Sequence, residues 1–107
     1  MKESSFKDFI LDQLNGLEEL TCKRMFGAYG LYQGHSFFGI IAQDALYFKT
    51  DDSTRKKYIR AGMKPFSPTP KQTLKNYFQV PARQMEDRDE LMAWARESAH
   101  LADKVTR

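Results

Sequence analysis

Residues 23–32 of the chain are Lys23-Arg24-Met25-Phe26-Gly27-Ala28-Tyr29-Gly30-Leu31-Tyr32, an apolar, strand-like run that two glycines interrupt. Two more short apolar runs follow after brief polar turns, Phe37-Phe38-Gly39-Ile40-Ile41 and Leu46-Tyr47-Phe48-Lys49. Aromatic and β-branched residues between turn residues are typical of strands, and turns this short favour antiparallel pairing. The stretch therefore predicts a three-stranded meander whose first strand, near residues 21–32, is bulged or sharply bent at its glycines.

The second strand of this meander, near residues 37–42, carries apolar side chains at consecutive positions, so both of its faces are apolar. Such a pattern is typical of a central strand that is covered on both sides of the sheet. The alternative is a contact with another protein over the second face.

Helical periodicity is present on both sides of the meander. A first helix is expected near residues 5–15 and a second near 52–61. Asp51 and Asp52 precede the second helix, where carboxylates suit the positive helix end and can cap it. The side of the second helix that is expected to be buried consists of Tyr58, Ile59 and Ala61.

The C-terminal part predicts two short strands, near 64–66 and 74–80, and a last helix over 88–105. Asp87 and Glu90 have the spacing of a capping box at the start of that helix. Ser98 lies on its apolar stripe, where the hydroxyl is expected to bond a backbone carbonyl one turn back. The element order α-β-β-β-α-β-β-α predicts an α+β fold of two layers, an antiparallel sheet of about five strands with helices packed on it.

The composition is that of one globular domain, predicted to span residues 1–107. The chain is 41% hydrophobic and 29% charged, which is ordinary for a soluble protein. No apolar run approaches 18 residues, so no contact with a membrane is expected. Cys22 is the only cysteine and cannot form an internal disulfide, and the N-terminus lacks the apolar centre of a signal peptide. A cytoplasmic location is therefore predicted.

The net charge of +3 is unevenly distributed. Residues 53–83 contain eight basic residues and no acidic one, whereas residues 1–20 contain five acids and two bases. A basic segment of this kind suits an anionic partner. The surface predicted for a polyanion or a partner consists of Arg55, Lys56, Lys57, Arg60 and Lys64. The alternative is that these side chains form a solvated helix face.

The residues that could carry chemistry do not form a recognisable site. His35 and His100 are the only histidines, and no cysteine lies at ligand spacing from them, so no metal or other cofactor is expected. No nucleophile, base and orienting group occur in a known pattern. The glycines of residues 27–30 lack the Gly-Lys-Ser/Thr ending of a phosphate loop. The chain is therefore predicted not to be an enzyme.

Nearly the whole chain, about residues 10–100, resembles the N-terminal domain of the TfoX/Sxy family. The resemblance rests on several blocks in a fixed order: Arg24-Met25-Phe26-Gly27-x-Tyr29-Gly30-Leu31-Tyr32, Phe38-Gly39-Ile40, Asp44-x-Leu46-Tyr47-Phe48-Lys49, Ala61-Gly62-Met63-x-Pro65-Phe66 and Tyr77-Phe78-Gln79-Val80-Pro81, followed by a helix with Leu91, Trp94, Ala95 and Arg96. The family-motif residues that are predicted to take part in an interaction are Arg24, Phe26, Gly27, Tyr29, Gly30 and Lys49. The chain departs from the family at Ala28, where glycine is common; alanine there indicates that positive φ is not required.

The resemblance implies a two-layer domain with a five-stranded antiparallel sheet. It also implies a positive regulator of competence, which acts on the transcription of DNA-uptake genes together with the cyclic AMP receptor protein. Longer family members add a C-terminal helical domain that this sequence does not contain.

Three functions follow for comparison with the structure. The first is a non-catalytic regulatory module that contacts the cyclic AMP receptor protein or RNA polymerase through the glycine bend and the basic helix, or that pairs as a homodimer. The second is direct, non-specific binding of DNA or another nucleic acid through residues 53–83. The third is an enzyme or small-ligand binder at the bend. Basic residues beside exposed aromatic rings would favour the second, and a flat apolar patch the first.

Overall fold

The computed structural model describes the backbone of residues 3–25 and 27–106 and the side chains of residues 5–25 and 27–104.

The first hairpin forms where the sequence predicts one bent strand. Strands β1 (Leu20–Met25) and β2 (Ala28–Gln33) pair antiparallel, with Met25 opposite Ala28. Gly27 lies between them with φ of 78°, a value that favours glycine and allows the chain to reverse within a very short turn. The bend is therefore a complete reversal, and residue Ala28 does not have positive φ, as expected.

Four more strands complete the sheet: β3 (Ser36–Ala42), β4 (Ala45–Lys49), β5 (Pro65–Thr69) and β6 (Gln72–Gln79). All neighbours are antiparallel, in the spatial order β1-β2-β3-β4-β6-β5. The helices are α1 (Glu3–Gln13), α2 (Arg55–Arg60), α3 (Ala82–Glu86) and α4 (Arg88–Thr106). The predicted α+β class and antiparallel sheet are confirmed. The sheet has six strands, one more than the approximate count, because the first predicted strand is a hairpin.

The helices pack on one face of the sheet, here called the helix face. α4 lies across β3 and β4, α2 contacts β6, and α1 and α3 pack on α4. One buried cluster joins these elements: Ile10 of α1, Leu14 just after that helix, Ile41 and Phe48 of the sheet, and Leu91 of α4 are all buried. Among the described residues no helix is long and apolar enough to cross a membrane.

Asp51 caps the turn that leads into α2, whose N-cap residue, Thr54, makes no side-chain capping bond. Asp51 Oδ1 accepts hydrogen bonds from the backbone N–H groups of Ser53 and Thr54, at 3.0 and 2.8 Å. The Thr54 Oγ1 accepts one from the Asp51 N–H at 2.9 Å, and these bonds lower the pKa of Asp51. Asp52 instead forms an ion pair with Arg55. At α4, Asp87 Oδ1 accepts the Glu90 N–H at 3.1 Å, as the capping box predicts.

The predictions for three side chains, Ile59, Ala61 and Ser98, are wrong. Ala61 is exposed and follows the end of α2. Ile59 is 56% exposed, because α2 is only six residues long and buries only Tyr58, against Phe78 and Trp94. Ser98 is buried as expected, but its hydroxyl donates to the backbone oxygen of Lys49 at 2.8 Å rather than to its own helix. This bond joins α4 to the end of β4.

Candidate functional site

The face of the sheet opposite the helices, here called the open face, is not covered by a helix in the described part of the chain. The strand register assigns the same side of the sheet to Lys23, Gly30, Tyr32, Phe37, Ile40, Tyr47, Lys49, Tyr77 and Gln79. Phe66 joins them through its ring contact with Tyr47. Four aromatic side chains of the open face, those of Tyr32, Phe37, Tyr47 and Tyr77, do not belong to the buried cluster of the helix face. The apolar second side of β3 was expected to be covered, or to contact another protein; no described helix covers it, yet Ile40 on that side is only 1% exposed.

A row of three aromatic rings crosses the open face. The Tyr32 and Phe37 ring centroids are 5.2 Å apart, and those of Phe37 and Tyr77 are 5.4 Å apart. Their planes differ by only 31° and 34°. Tyr77 on β6 reaches across the end of β4, and its hydroxyl donates to the Phe37 backbone oxygen at 3.4 Å. All three rings are half-buried, so part of each remains open to solvent.

Lysines lie at both ends of this ring row. The Lys23 Nζ is 5.1 Å from the Tyr32 ring centroid, and the Lys49 Nζ is 5.2 Å from that of Tyr77. Both distances are within the range of cation–π attraction. Neither lysine has an ion-pair partner within the described side chains.

The six strands contain no aspartate or glutamate. Their charged residues are all basic: Lys23, Arg24, Lys49 and Lys75. The acidic residues of the chain lie in the helices and in the segments between elements. The charge of the strands themselves is thus entirely positive, a property that residue counts along linear segments do not reveal.

Gly30 lies under the ring row, inside β2. A Cβ atom on this residue would be 3.1 Å from Met25 Sδ and from Phe37 Cε1, and 3.2 Å from Tyr32 Cε1. The sequence predicts a bend here, but the bend is at Gly27, and Gly30 instead leaves room for the neighbouring side chains to lie close to the sheet.

Burial raises the pKa of two phenols on the open face, Tyr77 and Tyr47. Desolvation, and after it the neighbouring Tyr32, raises the pKa of Tyr77 to about 12. Desolvation also raises the pKa of Tyr47, whose ring packs on Phe66 with centroids 4.7 Å apart. Negative charge from these hydroxyls is therefore disfavoured at neutral pH.

The family-motif residues do not converge on one pocket. Gly30 and Lys49 lie on the open face, whereas Tyr29 packs against the buried cluster of the helix face, with Lys7 Nζ 4.9 Å from its ring centroid. Arg24 pairs with Tyr29 across the hairpin and is exposed. Gly27 forms the turn. Phe26 lies outside the described residues.

The basic helix is partly used inside the domain. The Arg55 guanidinium donates to Thr50 Oγ1 at 3.1 Å, to Asp52 at 3.2 Å and to Asn76 Oδ1 at 2.8 Å. Lys57 forms an ion pair with Glu97, and its Nζ is 4.5 Å from the Trp94 ring centroid.

The remaining predicted cations of this surface, Lys56, Arg60 and Lys64, are exposed. The predicted combination of the glycine bend with the basic helix is not a continuous surface. The bend lies in the β1–β2 hairpin at one edge of the sheet, while α2 contacts β6 near the other edge.

An apolar groove is present on the helix side, between α1 and α3. It has a volume of about 280 Å³ and is lined by Phe6, Phe9, Ala82, Met85 and Glu86. Phe9 is 39% exposed. The two helices are held together by the Gln13 side-chain amide, which donates to the Met85 backbone oxygen at 2.9 Å. The exposed acids on or next to these helices are Asp8, Asp12, Glu86, Asp87, Asp89 and Glu90.

The two histidines come closer together than the sequence suggests. His35 and His100 both line a cavity of about 700 Å³, together with Glu18, Glu19 and Asp103. Even so, no group of three or more histidine, cysteine, aspartate or glutamate residues with a geometry that could hold a metal ion occurs among the described residues. Among the described cavities, none is lined by both Arg24 and Lys49.

Comparison with known proteins agrees with the fold and with the order of the sequence blocks. The family model described as the TfoX N-terminal domain matches residues 12–102, which include every strand and nearly all of α4. A search of curated proteins found no significant match. The chain belongs to the TfoX N-terminal domain family.

Proposed function

We propose that this chain is a non-enzymatic regulatory domain that acts on transcription in the cytoplasm through contacts with protein. The family is associated with competence regulation. The resemblance implies the cyclic AMP receptor protein as a partner, and RNA polymerase is a second candidate partner for a regulator of transcription. The structural observation that carries the proposal is the acidic, apolar groove between α1 and α3.

The groove offers the two features of a specific protein contact. Phe9 supplies an exposed aromatic side chain next to an apolar depression, and aromatic residues are enriched in the centres of protein interfaces. Glu86 lines the groove and further exposed carboxylates lie on or next to the two helices, although Asp8 is paired with Lys7 and Asp12 with Arg88. The complementary partner is a basic protein surface that inserts an apolar side chain.

The chemistry of the single thiol supports a non-enzymatic role. Burial raises the pKa of Cys22, and the opposing effect of Lys7 is smaller. A thiol with a raised pKa is less ionised at neutral pH and is a poorer nucleophile. Cys22 also packs against the buried cluster, as a small structural residue does.

A binding experiment with purified proteins tests this proposal. We expect the chain to bind the cyclic AMP receptor protein or RNA polymerase, and Phe9→Ser to weaken that binding about tenfold or more. Ile59→Ser is the matched control, because Ile59 on α2 is, like Phe9, a large exposed apolar residue among the described side chains. Biolayer interferometry with the three forms measures the difference.

The proposal is wrong if neither partner binds, or if the two serine variants lose binding equally. Sedimentation velocity of the chain alone must accompany the experiment. Self-association that Phe9→Ser abolishes would show that the groove is occupied by a second copy instead of a transcription protein.

Direct nucleic-acid binding is the second candidate. Residues 53–83 support it less than their charge suggests, because Arg55 and Lys57 are engaged within the domain. The observation that favours nucleic acid is on the open face.

A further inference from the structure

We propose that the open face binds single-stranded nucleic acid. Unpaired bases stack on the ring row of Tyr32, Phe37 and Tyr77, and Lys23 and Lys49 contact the phosphates. This inference goes beyond the proposed function, since it concerns a different face of the domain and a different class of partner. It does not depend on the groove between α1 and α3.

The ring row has the composition of a stacking platform. Sequence-tolerant binding of single strands combines aromatic side chains, on which successive bases stack, with a positive track for the backbone. Small domains that bind RNA through a sheet use aromatic residues on adjacent strands in the same way, stacking two or three bases. Here three half-exposed rings lie in contact, with a lysine at each end.

The charge of the sheet is complementary to a polyanion. No strand carries a carboxylate, so a phosphate backbone that crosses the open face meets no acidic strand side chain. Lys23 and Lys49 contact aromatic rings rather than carboxylates within the described side chains. An ammonium group has three donors, and a contact with a ring face leaves donors available for phosphate oxygens.

The geometry favours a single strand over a duplex. Bases of a duplex are stacked at about 3.4 Å per nucleotide and their faces are not accessible. The ring centroids of the row are 5.2 and 5.4 Å apart, so the rings contact each other and unpaired bases would stack over the row rather than between its rings. Among the described residues no helix, the element that most often enters a major groove, lies on the open face.

Gly30 contributes by having no side chain. Its position below Met25, Tyr32 and Phe37 would be filled by any Cβ atom, and those side chains would have to move outward. The glycine therefore lets the side chains of Met25, Tyr32 and Phe37 lie close to the backbone of the sheet.

Fluorescence anisotropy with labelled oligonucleotides tests the inference. The probes are a 15-mer of oligo(dT), a 15-mer of oligo(rU) and a 15-base-pair duplex, each titrated in a series of salt concentrations. We expect at least one single strand to bind about tenfold or more tightly than the duplex. Stronger binding of one of the two single strands identifies whether DNA or RNA is preferred.

Charge variants locate the site. We expect Lys23→Glu and Lys49→Glu each to weaken single-strand binding, and to reduce the slope of log affinity against log salt by about 0.7, the contribution of one phosphate contact. Lys56→Glu is the matched control, because Lys56 is exposed on α2, away from the open face. That variant should retain the slope.

Ring variants test stacking separately from charge. Tyr32→Leu and Tyr77→Leu keep apolar volume and remove the aromatic face, so we expect weaker binding with an unchanged salt slope. Thermal melting of each variant confirms that it is folded. Equal affinity for single strand and duplex, equal losses in Lys23→Glu and Lys56→Glu, or no binding at low salt would each overturn the inference.

Discussion

The two faces of this sheet are similarly apolar but differ in what covers them. On the helix face, Ile41, Leu46 and Phe48 are fully buried beneath α4 and its neighbours. On the open face, Tyr32, Phe37 and Tyr77 pack against each other and against lysines, and they remain half-exposed. Apolar residues on both sides of a strand therefore do not require two covering layers. Aromatic residues with polar ends can pack against one another on a sheet face that no helix covers, and such partly exposed residues are suited to binding a partner.

The charges of the two faces also differ. The charged residues of the strands are all basic, while the acidic residues lie in helices and connecting segments. Counting charged residues along the sequence predicted a basic surface at residues 53–83 but did not reveal this division, because the open-face lysines are far apart in sequence. Lys23 and Lys49 are brought onto one face only by the pairing of four strands. The two proposed surfaces consequently suit partners of opposite charge.

The largest expected difference between the faces is in stability. Phe48→Ala removes a fully buried ring from the helix face and should lower the free energy of unfolding by about 3–5 kcal/mol. Tyr47→Ala, at the next position along β4 and on the open face, should cost about 1–2 kcal/mol, because Tyr47 is half-buried and loses mainly its contact with Phe66. Urea unfolding measures both.

Equal losses in these two variants would contradict the description of the open face as uncovered. In that case the unfolding midpoint should be measured over a range of protein concentrations. A midpoint that rises with concentration would show that a second copy covers the face.

Local sequence patterns predicted much of the fold correctly. The α+β class and the antiparallel pairing followed from short apolar runs between turns, and the caps at Asp51 and Asp87 followed from residue type and spacing. These features depend on residues within one turn or one strand. The reversal at Gly27 was missed because Phe26-Gly27 is not one of the Asn-Gly or Asp-Gly pairs that mark two-residue hairpin turns.

The features that were not predicted depend on partners distant in sequence. Arg55 bonds to Asn76, 21 residues away, and Lys57 to Glu97, 40 residues away. Ser98 bonds to Lys49, 49 residues away. Without these partners, a basic helix appears as a solvated surface and a serine as a local cap. The ring row likewise became visible only when the strand register was known.

Glycine substitutions give a comparison of intermediate size. A Cβ atom at Gly39, on the helix face, would be 3.2 Å from the backbone oxygen of Tyr47, which cannot easily move, and from the buried Leu31 and Phe48. At Gly30 the close atoms all belong to side chains on the uncovered face. Gly39→Val should therefore cost about 3 kcal/mol, and Gly30→Val only about 1 kcal/mol. Thermal and urea unfolding of the two variants measures the difference.

The same pair sharpens the binding inference. Gly30→Val displaces the rings of Tyr32 and Phe37, so it should weaken single-strand binding while the domain stays folded. If Gly30→Val is instead the more destabilising of the two, the open-face side chains are packed as tightly as a core. The view that they can move outward would then be wrong.

The smallest expected effect is in the pH dependence of stability. Burial, with a contribution from Tyr32, raises the pKa of Tyr77 to about 12, above its value of 10 in the unfolded chain. A raised pKa in the folded state means that this stabilisation is fully present below pH 10 and is lost as the pH rises toward 12. Because Tyr77 is half-exposed, we expect its contribution at pH 11 to be about 1 kcal/mol or less.

Phenylalanine variants separate the two faces at high pH. Burial also raises the pKa of Tyr58, which lies fully buried on the helix face. Between pH 8 and pH 11, urea unfolding should show a smaller loss of stability in Tyr77→Phe than in the unsubstituted chain, and a smaller loss still in Tyr58→Phe. If Tyr77→Phe loses as much stability as the unsubstituted chain, the Tyr77 hydroxyl titrates as it would in water. Solvent would then reach it freely, and the ring row would be more open than its contacts with Phe37 indicate.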